Sequence, residues 1–212
     1  MAEDSEQRVN RLERRKQRTR AALVRAAQAL IAEGRLNVPV LEITQSADVG
    51  MGSFYNHFDS KEQLFEAAVS DVLDTHGAVL DHLTADIEDP AAVFACSFRL
   101  TGRFFRERPQ ESRILLANWS ALMTSDRGLA PRAMRDIKAA LAAGRFDIDD
   151  PELALTVAAG ALMGLGHLLE AQPQRDAGAT ADAVTESVLQ LFGMSPEDAR
   201  KVCALPLPDL DY

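Results

Sequence analysis

The stretch Val49–Phe65, which reads VGMGSFYNHFDSKEQLF, decides how the surrounding chain folds. Gly50 and Gly52 open a very short helical segment, and a longer helix begins at Ser60–Lys61. The short segment carries aromatic and polar side chains: Tyr55, Asn56 and His57. Because such side chains contribute little to a hydrophobic core, the segment is typical of an element that inserts into a groove.

Helical periodicity continues upstream of this stretch. Apolar residues recur at i, i+3, i+4, i+7 and i+8 and predict a helix that ends at Gly34: Leu23, Ala26, Ala27, Leu30 and Ile31. Pro39 is predicted in the first turn of a short second helix, where its missing N–H is not needed. Residues 47–50 then form the turn to the short segment. Three helices with this spacing predict a helix-turn-helix unit.

The rest of the chain also shows helical patterns, so the predicted fold class is all-α. A long helix from Ser60 to Leu83 is followed by helices that begin at Pro90, Gln110, Leu129, Pro151, Thr180 and Pro196. Residues 1–15 are charged and poor in large aliphatic side chains, which predicts a disordered leader. Residues 205–212 form an acidic tail that proline interrupts.

Charge is distributed unevenly along the chain. Residues 8–35 hold nine basic residues against Glu13 and Glu33, a net +7 within a total of −9, so the remainder carries −16. A basic end on an acidic body suits an approach to phosphates. The alternative is a solvated leader that binds nothing.

The segment Leu153–Leu169 contains no Asp, Glu, Lys or Arg. Gly160 and Gly164 form a GxxxG spacing, which permits close approach of another helix. A helix that is apolar on all sides must be covered on all sides. We expect it to form a homodimer interface together with residues 180–192. A plain core helix and a membrane span are the alternatives.

The helix-turn-helix pattern predicts DNA contacts from residues 49–61. Gly50 and Gly52 lack a β-carbon, so the N-terminus of the short helix can approach the DNA backbone. Hydrogen-bonding side chains suited to phosphates or bases follow, and a charge lies at the next helix start: Ser53, Tyr55, Asn56, His57 and Lys61.

Residues 17–69 resemble the DNA-binding domain of the tetracycline-repressor (TetR) family of bacterial transcription regulators. The resemblance rests on Arg18-Thr19, Ala26-Ala27, Gly34, Val40, Ile43, Ala47, Val49, the run Gly52–Phe58, Ser60-Lys61-Glu62 and Leu64. The string YxHFxSKExL is the most specific part. By motif the match covers about a quarter of the chain.

The resemblance implies a role for each matching residue. Tyr55, His57 and Lys61 would contact phosphates, assisted by Arg18 and Thr19. Base reading would fall to Ser53, Asn56, Thr44, Gln45 and Met51, with Gly52 allowing close approach. Phe54 and Phe58 are interpreted as core residues. The family pattern differs from this chain at three positions, where it has a small residue or glycine at Asp48, serine at Gly50, and serine or threonine near Val38.

The resemblance also implies a homodimer whose larger helical domain binds a small effector. It divides the chain into residues 1–15, a DNA-binding domain over 16–60, a ligand-binding and dimerisation domain over 61–204, and a tail. A hydrophobic or amphipathic effector is expected, with no cofactor and no metal. Candidate contacts are Phe98, Arg99, Phe105, Trp119, Met123, Met163 and His167. Arg99 and Arg103, one turn apart, either pair with an acidic ligand or lie in solvent.

Two interpretations of other classes compete with a ligand-responsive regulator. An all-α enzyme lacks support because the histidines are scattered, and Asp81, His82 and Asp86 are better explained as a solvated helix face than as a metal cluster. A helical adaptor that binds only protein leaves the basic leader unexplained. Cys96 and Cys203 have no partner motif, which favours a reducing compartment. We therefore expect a cytoplasmic protein without a membrane span.

Overall fold

The computed structural model describes residues 2–118 and 128–209. These ranges contain ten α-helices and no strand, which confirms the predicted all-α class. The helices are α1 (Ala2–Ala32), α2 (Val40–Ser46), α3 (Met51–Tyr55), α4 (Lys61–Leu83), α5 (Pro90–Glu107), α6 (Pro109–Ala117), α7 (Leu129–Ala142), α8 (Pro151–Ala171), α9 (Ala177–Leu191) and α10 (Pro196–Cys203).

The chain divides into two compact units, Met1–Asp71 and Val72–Tyr212. The boundary lies inside α4, eleven residues later than the division after residue 60 that the sequence suggested. The first turns of α4 belong to the N-terminal unit because Leu64 and Ala68 are fully buried there. Gln28 on α1 also donates hydrogen bonds to the Ala68 carbonyl and to Asp71.

The N-terminal unit is held by the apolar faces that the sequence predicts. Leu23, Ala27 and Ile43 are buried, as are both phenylalanines of the motif. Gly34 ends α1 in a left-handed conformation (φ 71°), and the Arg35 amide donates to the Leu30 carbonyl across it. Pro39 does not lie inside the second helix as predicted. It is the N-cap of α2, and its extended backbone lets its carbonyl accept from Glu42.

Helix α1 begins at Ala2, where the sequence predicted a disordered leader over residues 1–15. The segment has no glycine or proline before Gly34, and Glu, Gln, Arg and Leu are good helix formers. Low hydrophobicity argues against burial, but it does not prevent a helix from continuing outward from a packed end. The helix has 31 residues and is roughly 45 Å long.

Helix α4 starts with a side-chain cap. Ser60 Oγ accepts from the Gln63 amide at 3.1 Å, and Gln63 Oε1 accepts from the Asp59 amide at 2.7 Å. This pair resembles a capping box, with each side chain satisfying a backbone donor of the helix start. Ser60 and Gln63 thus form the cap of α4.

The C-terminal unit has its own core, in which aromatic side chains from several helices meet. Phe94, Phe146 and Phe192 pack within 5.2–5.7 Å between ring centroids. Three helices of this unit, α5, α8 and α9, begin at an aspartate N-cap. The side chains of Asp89, Asp150 and Asp176 accept hydrogen bonds from backbone amides of these helix starts. Because Asp176 caps α9, that helix begins at Ala177 and not at the predicted Thr180.

The prediction of solvated arginines on α5 is wrong for Arg99. Arg99 is 6% exposed, and its Nε donates to Asp182 on α9 at 2.7 Å. Arg103 donates to both oxygens of the same carboxylate. Arg99 also donates to the Leu205 carbonyl, which fixes the start of the tail. The buried guanidinium is stable because it is paired and hydrogen-bonded.

Candidate nucleic-acid interface and ligand cavity

The turn between α2 and α3 is a Schellman motif. The Val49 amide donates to the Thr44 carbonyl at 3.0 Å, and the Asp48 amide donates to the Gln45 carbonyl at 3.1 Å. Asp48 therefore takes a left-handed conformation with φ 52°, the only such non-glycine residue in the described part of the chain. This is the position where the related family has a small residue or glycine. The side chain of Asp48 is exposed.

Helix α3 buries one side and presents the other to solvent. Phe54 is 0% exposed and Phe58 is 3% exposed, as predicted for core residues. Tyr55 is 59% exposed, and its ring packs edge-on against the Phe54 ring, with 5.1 Å between the two ring centroids. Asn56 is also exposed, and a β-carbon added at Gly52 meets no atom within 4 Å. Tyr55 and Asn56 thus lie on an open surface.

His57 lies beside two residues of the basic segment 8–35, both on α1. Burial lowers its pKa below 6.5, and the positive charges of Lys16 and Arg20 lower it further. The Arg20 guanidinium also lies 5.2 Å above the Phe58 ring centroid. These surroundings favour the neutral form of His57. Lys16 and Arg20 are one helical turn apart, but only packing of α1 against residues 54–58 shows that they belong to this surface.

Lys61 is half-buried at the start of α4. Its ammonium donates to Asn37 Oδ1 at 3.3 Å and lies 3.5 Å from the Val38 carbonyl. These contacts tie the start of α4 to the loop between α1 and α2. An ammonium has three donors, so one stays available for a phosphate.

Thr44 does not fit its predicted role as a base contact. It is 1% exposed, and its hydroxyl donates to the Leu41 carbonyl at 2.9 Å. In this conformation it cannot reach a base. Gln45 and Met51 are exposed, and Ser53 is half-buried. Arg18 is exposed as well, while Thr19 is half-buried and its hydroxyl donates to the Arg15 carbonyl.

The C-terminal unit contains a cavity of about 460 Å³ that opens to solvent. One part of its wall is apolar and another is charged. The described lining residues are Leu80, Asp81, Phe94, Ser97, Phe98, Thr101, Leu129, Arg132, Ala133, Arg135, Asp136 and Leu162. This volume includes space that is continuous with the solvent.

The charged wall is a chain of two arginines and two carboxylates. Asp81 accepts from Arg132 at 2.7 Å and lies 2.9 Å from Arg135, which in turn bonds Asp136 at 2.8 Å. Burial alone would raise the pKa of Asp81, but the two arginine hydrogen bonds lower it overall. Burial raises the pKa of Asp136 despite its bond to Arg135. The four groups balance in charge, so the wall is polar without a net charge.

The predicted effector contacts do not converge on this cavity. Phe98 lines it, whereas Arg99 pairs with Asp182 and Phe105 is buried beside Gly166. The His167 side chain is 57% exposed and lies 4.0 Å from Glu170, and Met163 is half-buried. Trp119 and Met123 lie outside the described residues. The sequence missed the charged wall because its members come from α4 and α7, about 50 positions apart.

Asp81 also corrects the interpretation of a solvated acidic face on α4. Its carboxylate faces the cavity and two arginines, while His82 and Asp86 are exposed. Within the described residues, no group of three or more His, Cys, Asp or Glu side chains is placed to hold a metal ion.

The outward face of α8 is apolar and rich in small residues. Leu153 is 63% exposed and Val157 is 44% exposed, and β-carbons added at Gly160 and Gly164 meet no atom within 4 Å. Leu191 on α9 is 68% exposed. Among the described helices α8 alone is long and apolar enough to cross a membrane, and 28% of its apolar stretch is buried. Length and composition do not separate a membrane span from the helix of a soluble protein.

These features define a helix-turn-helix protein with a further helical domain that carries a partly apolar cavity open to solvent. Residues 23–68 match the family model described as bacterial regulatory proteins, tetR family. Residues 89–204 match the tetracyclin repressor-like C-terminal domain. Because the second model alone covers more than half of the chain, the protein belongs to the tetR family.

Solved structures and curated relatives agree with this assignment. The chain is similar to RolR in complex with resorcinol, with 32% identity, 94% of this chain and 100% of that chain covered, and a TM-score of 0.65. RolR without ligand gives 34% identity, coverage of 91% and 100%, and a TM-score of 0.74. The regulator TtgR of Pseudomonas putida is 30% identical over 108 residues. The match covers 50% of each chain, so this chain spans about half the length of that curated relative.

Proposed function

We propose that this protein is a homodimeric transcriptional repressor that releases its DNA operator when a small molecule binds its C-terminal unit. The observation that carries the proposal is the exposed face of α3 beside a basic part of α1. A short helix with buried phenylalanines behind it and Tyr55 and Asn56 in front has the form of a recognition helix. The family is one of regulators, which favours this function over an enzyme or an adaptor.

The proposed DNA contacts divide into two groups. Tyr55, His57 and Lys61 bind phosphates, supported by Arg18 and Thr19 as the family pattern implies. Lys16 and Arg20 join this group because they lie beside His57 and supply the positive charge that phosphates need. Base reading falls to Gln45, Met51, Ser53 and Asn56, with Gly52 allowing the backbone to approach. Thr44 supports the turn instead.

The proposed dimer interface is the outward face of α8 together with α9. This face of α8 carries two exposed apolar side chains and two glycines with free space around them, which suits close packing of a second copy. The residues are Leu153, Val157, Gly160 and Gly164. Burying such a stripe removes apolar area from water, which stabilises association. A DNA-bound homodimer is located in the cytoplasm, and the apolar helix is then an interface and not a membrane span.

The proposed effector is a small, neutral aromatic molecule that carries hydroxyl groups. The apolar wall of the cavity, including Phe94 and Phe98, suits a ring. The charge-balanced wall offers carboxylate acceptors and guanidinium donors to hydroxyl groups but gives no net attraction to an ion. The similarity to the resorcinol complex of RolR supports the same class.

The proposed mechanism is a shift between two conformations of the dimer. A dimer places two recognition helices at half-sites about 34–36 Å apart or a multiple of that spacing. An effector that binds more tightly to a conformation with another spacing lowers DNA affinity by that difference in affinity. Helix α4 carries both the start that contains Lys61 and the cavity residue Asp81, so it is the element that links the two events.

The DNA part of the proposal is tested with a duplex selected from a random-sequence library by the wild-type protein. Tyr55→Phe, which removes only the hydroxyl, should weaken binding about 10-fold or more because a hydrogen bond to a charged group is lost. Arg25→Gln is the control, since Arg25 is exposed on α1 and is not a proposed contact. Equal affinity of wild type and Tyr55→Phe would remove Tyr55 from the site.

The effector part is tested by calorimetry with resorcinol as the probe and toluene as the apolar comparison. Ala133→Phe places a ring in the cavity and should abolish resorcinol binding. Ala139→Phe on the same helix is exposed and should leave binding unchanged. Tight toluene binding with no resorcinol binding would show that the charged wall does not select hydroxyl groups.

A further inference from the structure

The N-terminal half of α1 has no part in the family domain. The family model begins at residue 23, whereas α1 begins at Ala2. The first buried side chain among those described in α1 is Leu23. Arg20 lies over the Phe58 ring, but the described side chains from Arg11 to Lys16 are exposed and add nothing to the core of the N-terminal unit. Another role must explain their composition.

These turns carry a dense group of like charges. Arg11, Arg14 and Arg15 are exposed, and their i, i+3 and i+4 spacing places them on one side of the helix, here called the arginine face. Like charges at these spacings destabilise an isolated helix. Within the described part of the N-terminal unit, the ion pairs join Arg35 to Glu33 and Glu42, so none neutralises the arginine face. A polyanionic partner would relieve this repulsion.

The arginine face continues from the candidate DNA surface. Lys16 and Arg20 lie beside His57, so α1 leaves the folded unit next to the reading helix. The helix then runs on from Lys16 to Ala2, a further length of about 20 Å. That length equals about 6 base pairs of duplex at 3.4 Å each.

We propose that the arginine face binds the phosphates of duplex DNA outside the two half-sites, which lengthens the operator that the protein covers. The inference rests on the proposed DNA-binding function. DNA is favoured over an acidic protein because binding by α3 holds the same duplex beside the face at a high effective concentration. The contact is to phosphates, so it adds affinity without reading sequence.

The test compares full-length variants on two duplexes that share one selected half-site pair. One duplex ends at the outer edges of the half-sites, and the other has about ten more base pairs on each side. The test variant is Arg11→Gln/Arg14→Gln/Arg15→Gln, since glutamine keeps helix propensity. The control is Arg25→Gln/Lys138→Gln/Arg200→Gln, which removes three exposed charges elsewhere. A third variant with lysine at positions 11, 14 and 15 restores the charge.

Each phosphate contact contributes about 0.9 to the slope of log affinity against log salt. On the long duplex the glutamine variant should bind about 10-fold more weakly, and its salt slope should fall by up to about 5 for a dimer. On the short duplex it should match the control, and the lysine variant should recover the long-duplex affinity. Hydroxyl-radical protection by the wild type should extend beyond the half-sites.

Three results would overturn the inference. If the glutamine variant matches the control on both duplexes, the arginine face does not touch DNA and its partner is of another class. If it is weakened equally on both duplexes, its arginines act on the half-sites and not on the flanks. If the wild type binds neither duplex, the proposed function itself fails, and that outcome is distinct from the first two.

Discussion

At the scale of single residues, Asp48 is the position where this chain departs most clearly from its family. The left-handed turn that it occupies suits glycine, since a β-carbon is crowded there. Aspartate tolerates this conformation better than most residues do, which explains how the turn survives. The substitution also places a negative charge close to a surface that we propose binds phosphate.

Asp48→Gly should therefore raise both stability and DNA affinity. Relief of the left-handed conformation is worth about 1 kcal/mol of unfolding free energy, reduced by the greater freedom of glycine in the unfolded chain. Urea unfolding measures the first effect and titration of the selected duplex measures the second. Asp71→Gly, an exposed change in the helix interior of α4, is expected to destabilise instead. A loss of stability in Asp48→Gly would contradict the turn geometry.

His76 should make the folded state sensitive to acid. Burial lowers its pKa to about 4, and its ring lies 3.0 Å from the Thr101 hydroxyl. Between pH 6.5 and 4 the unfolded chain binds a proton that the folded chain does not, so stability falls as the pH falls. The full effect is roughly 3 kcal/mol, of which about 2 kcal/mol is lost by pH 5.

The measurement is urea unfolding at pH 7 and pH 5 for the wild type and His76→Gln. Glutamine has no titrating group, so the difference between the two pH values should shrink by about 2 kcal/mol in the variant. His82→Gln is the control because His82 is exposed. An identical pH dependence in wild type and His76→Gln would show that His76 titrates normally.

At the scale of elements, the sequence predicts most helix starts because each depends on local chemistry. Ser60 with Gln63 and Asp150 with Pro151 are signals within four residues of the helix that they open. Local sequence patterns did not predict contacts between residues that are far apart in the chain. Asp182 pairs with Arg99 across 83 positions, and no periodicity predicts that contact. The prediction for the N-terminal half of α1 differs from the structure for another reason, because low hydrophobicity was taken to indicate disorder.

The capping arrangement at the start of α4 should contribute measurable stability. Ser60→Ala removes the acceptor of the Gln63 amide and should cost about 1 kcal/mol in unfolding free energy. Ser46→Ala at the exposed end of α2 serves as the control, since it ends a helix and caps none. An effect of Ser60→Ala no larger than that of the control would mean that water replaces the cap without loss.

At the scale of the whole molecule, the family motif was predicted from the sequence, but the charged wall of the cavity was not. The proposed DNA-reading residues are nearly contiguous in the chain, so the sequence motif alone identifies the short helix and its exposed side chains. The cavity joins Asp81 to Arg132, 51 positions apart, and its selectivity depends on how those charges pair. Of the predicted effector contacts that the structure describes, only Phe98 lines the cavity, and it belongs to the apolar wall.

The proposed homodimer interface predicts a variant that loses association but keeps its fold. Gly160→Leu should convert a dimer into a monomer, because leucine blocks the close approach that we propose for α8. A β-carbon there meets no atom of the same chain within 4 Å, and leucine favours helix, so the monomer should stay folded. Sedimentation together with circular dichroism checks both statements. Ala139→Leu, exposed on α7, is the control, and a Gly160→Leu dimer would place the interface elsewhere.

The most direct test of a DNA-reading dimer is hydroxyl-radical footprinting on the selected duplex. The wild type should protect two symmetric half-sites whose centres lie about one helical turn, or a multiple of it, apart. Resorcinol should remove that protection, and Tyr55→Phe should weaken it while Arg25→Gln does not. A single unsymmetric footprint, or a symmetric one that is indifferent to both Tyr55→Phe and resorcinol, would contradict the proposal that α3 reads DNA under control of the cavity.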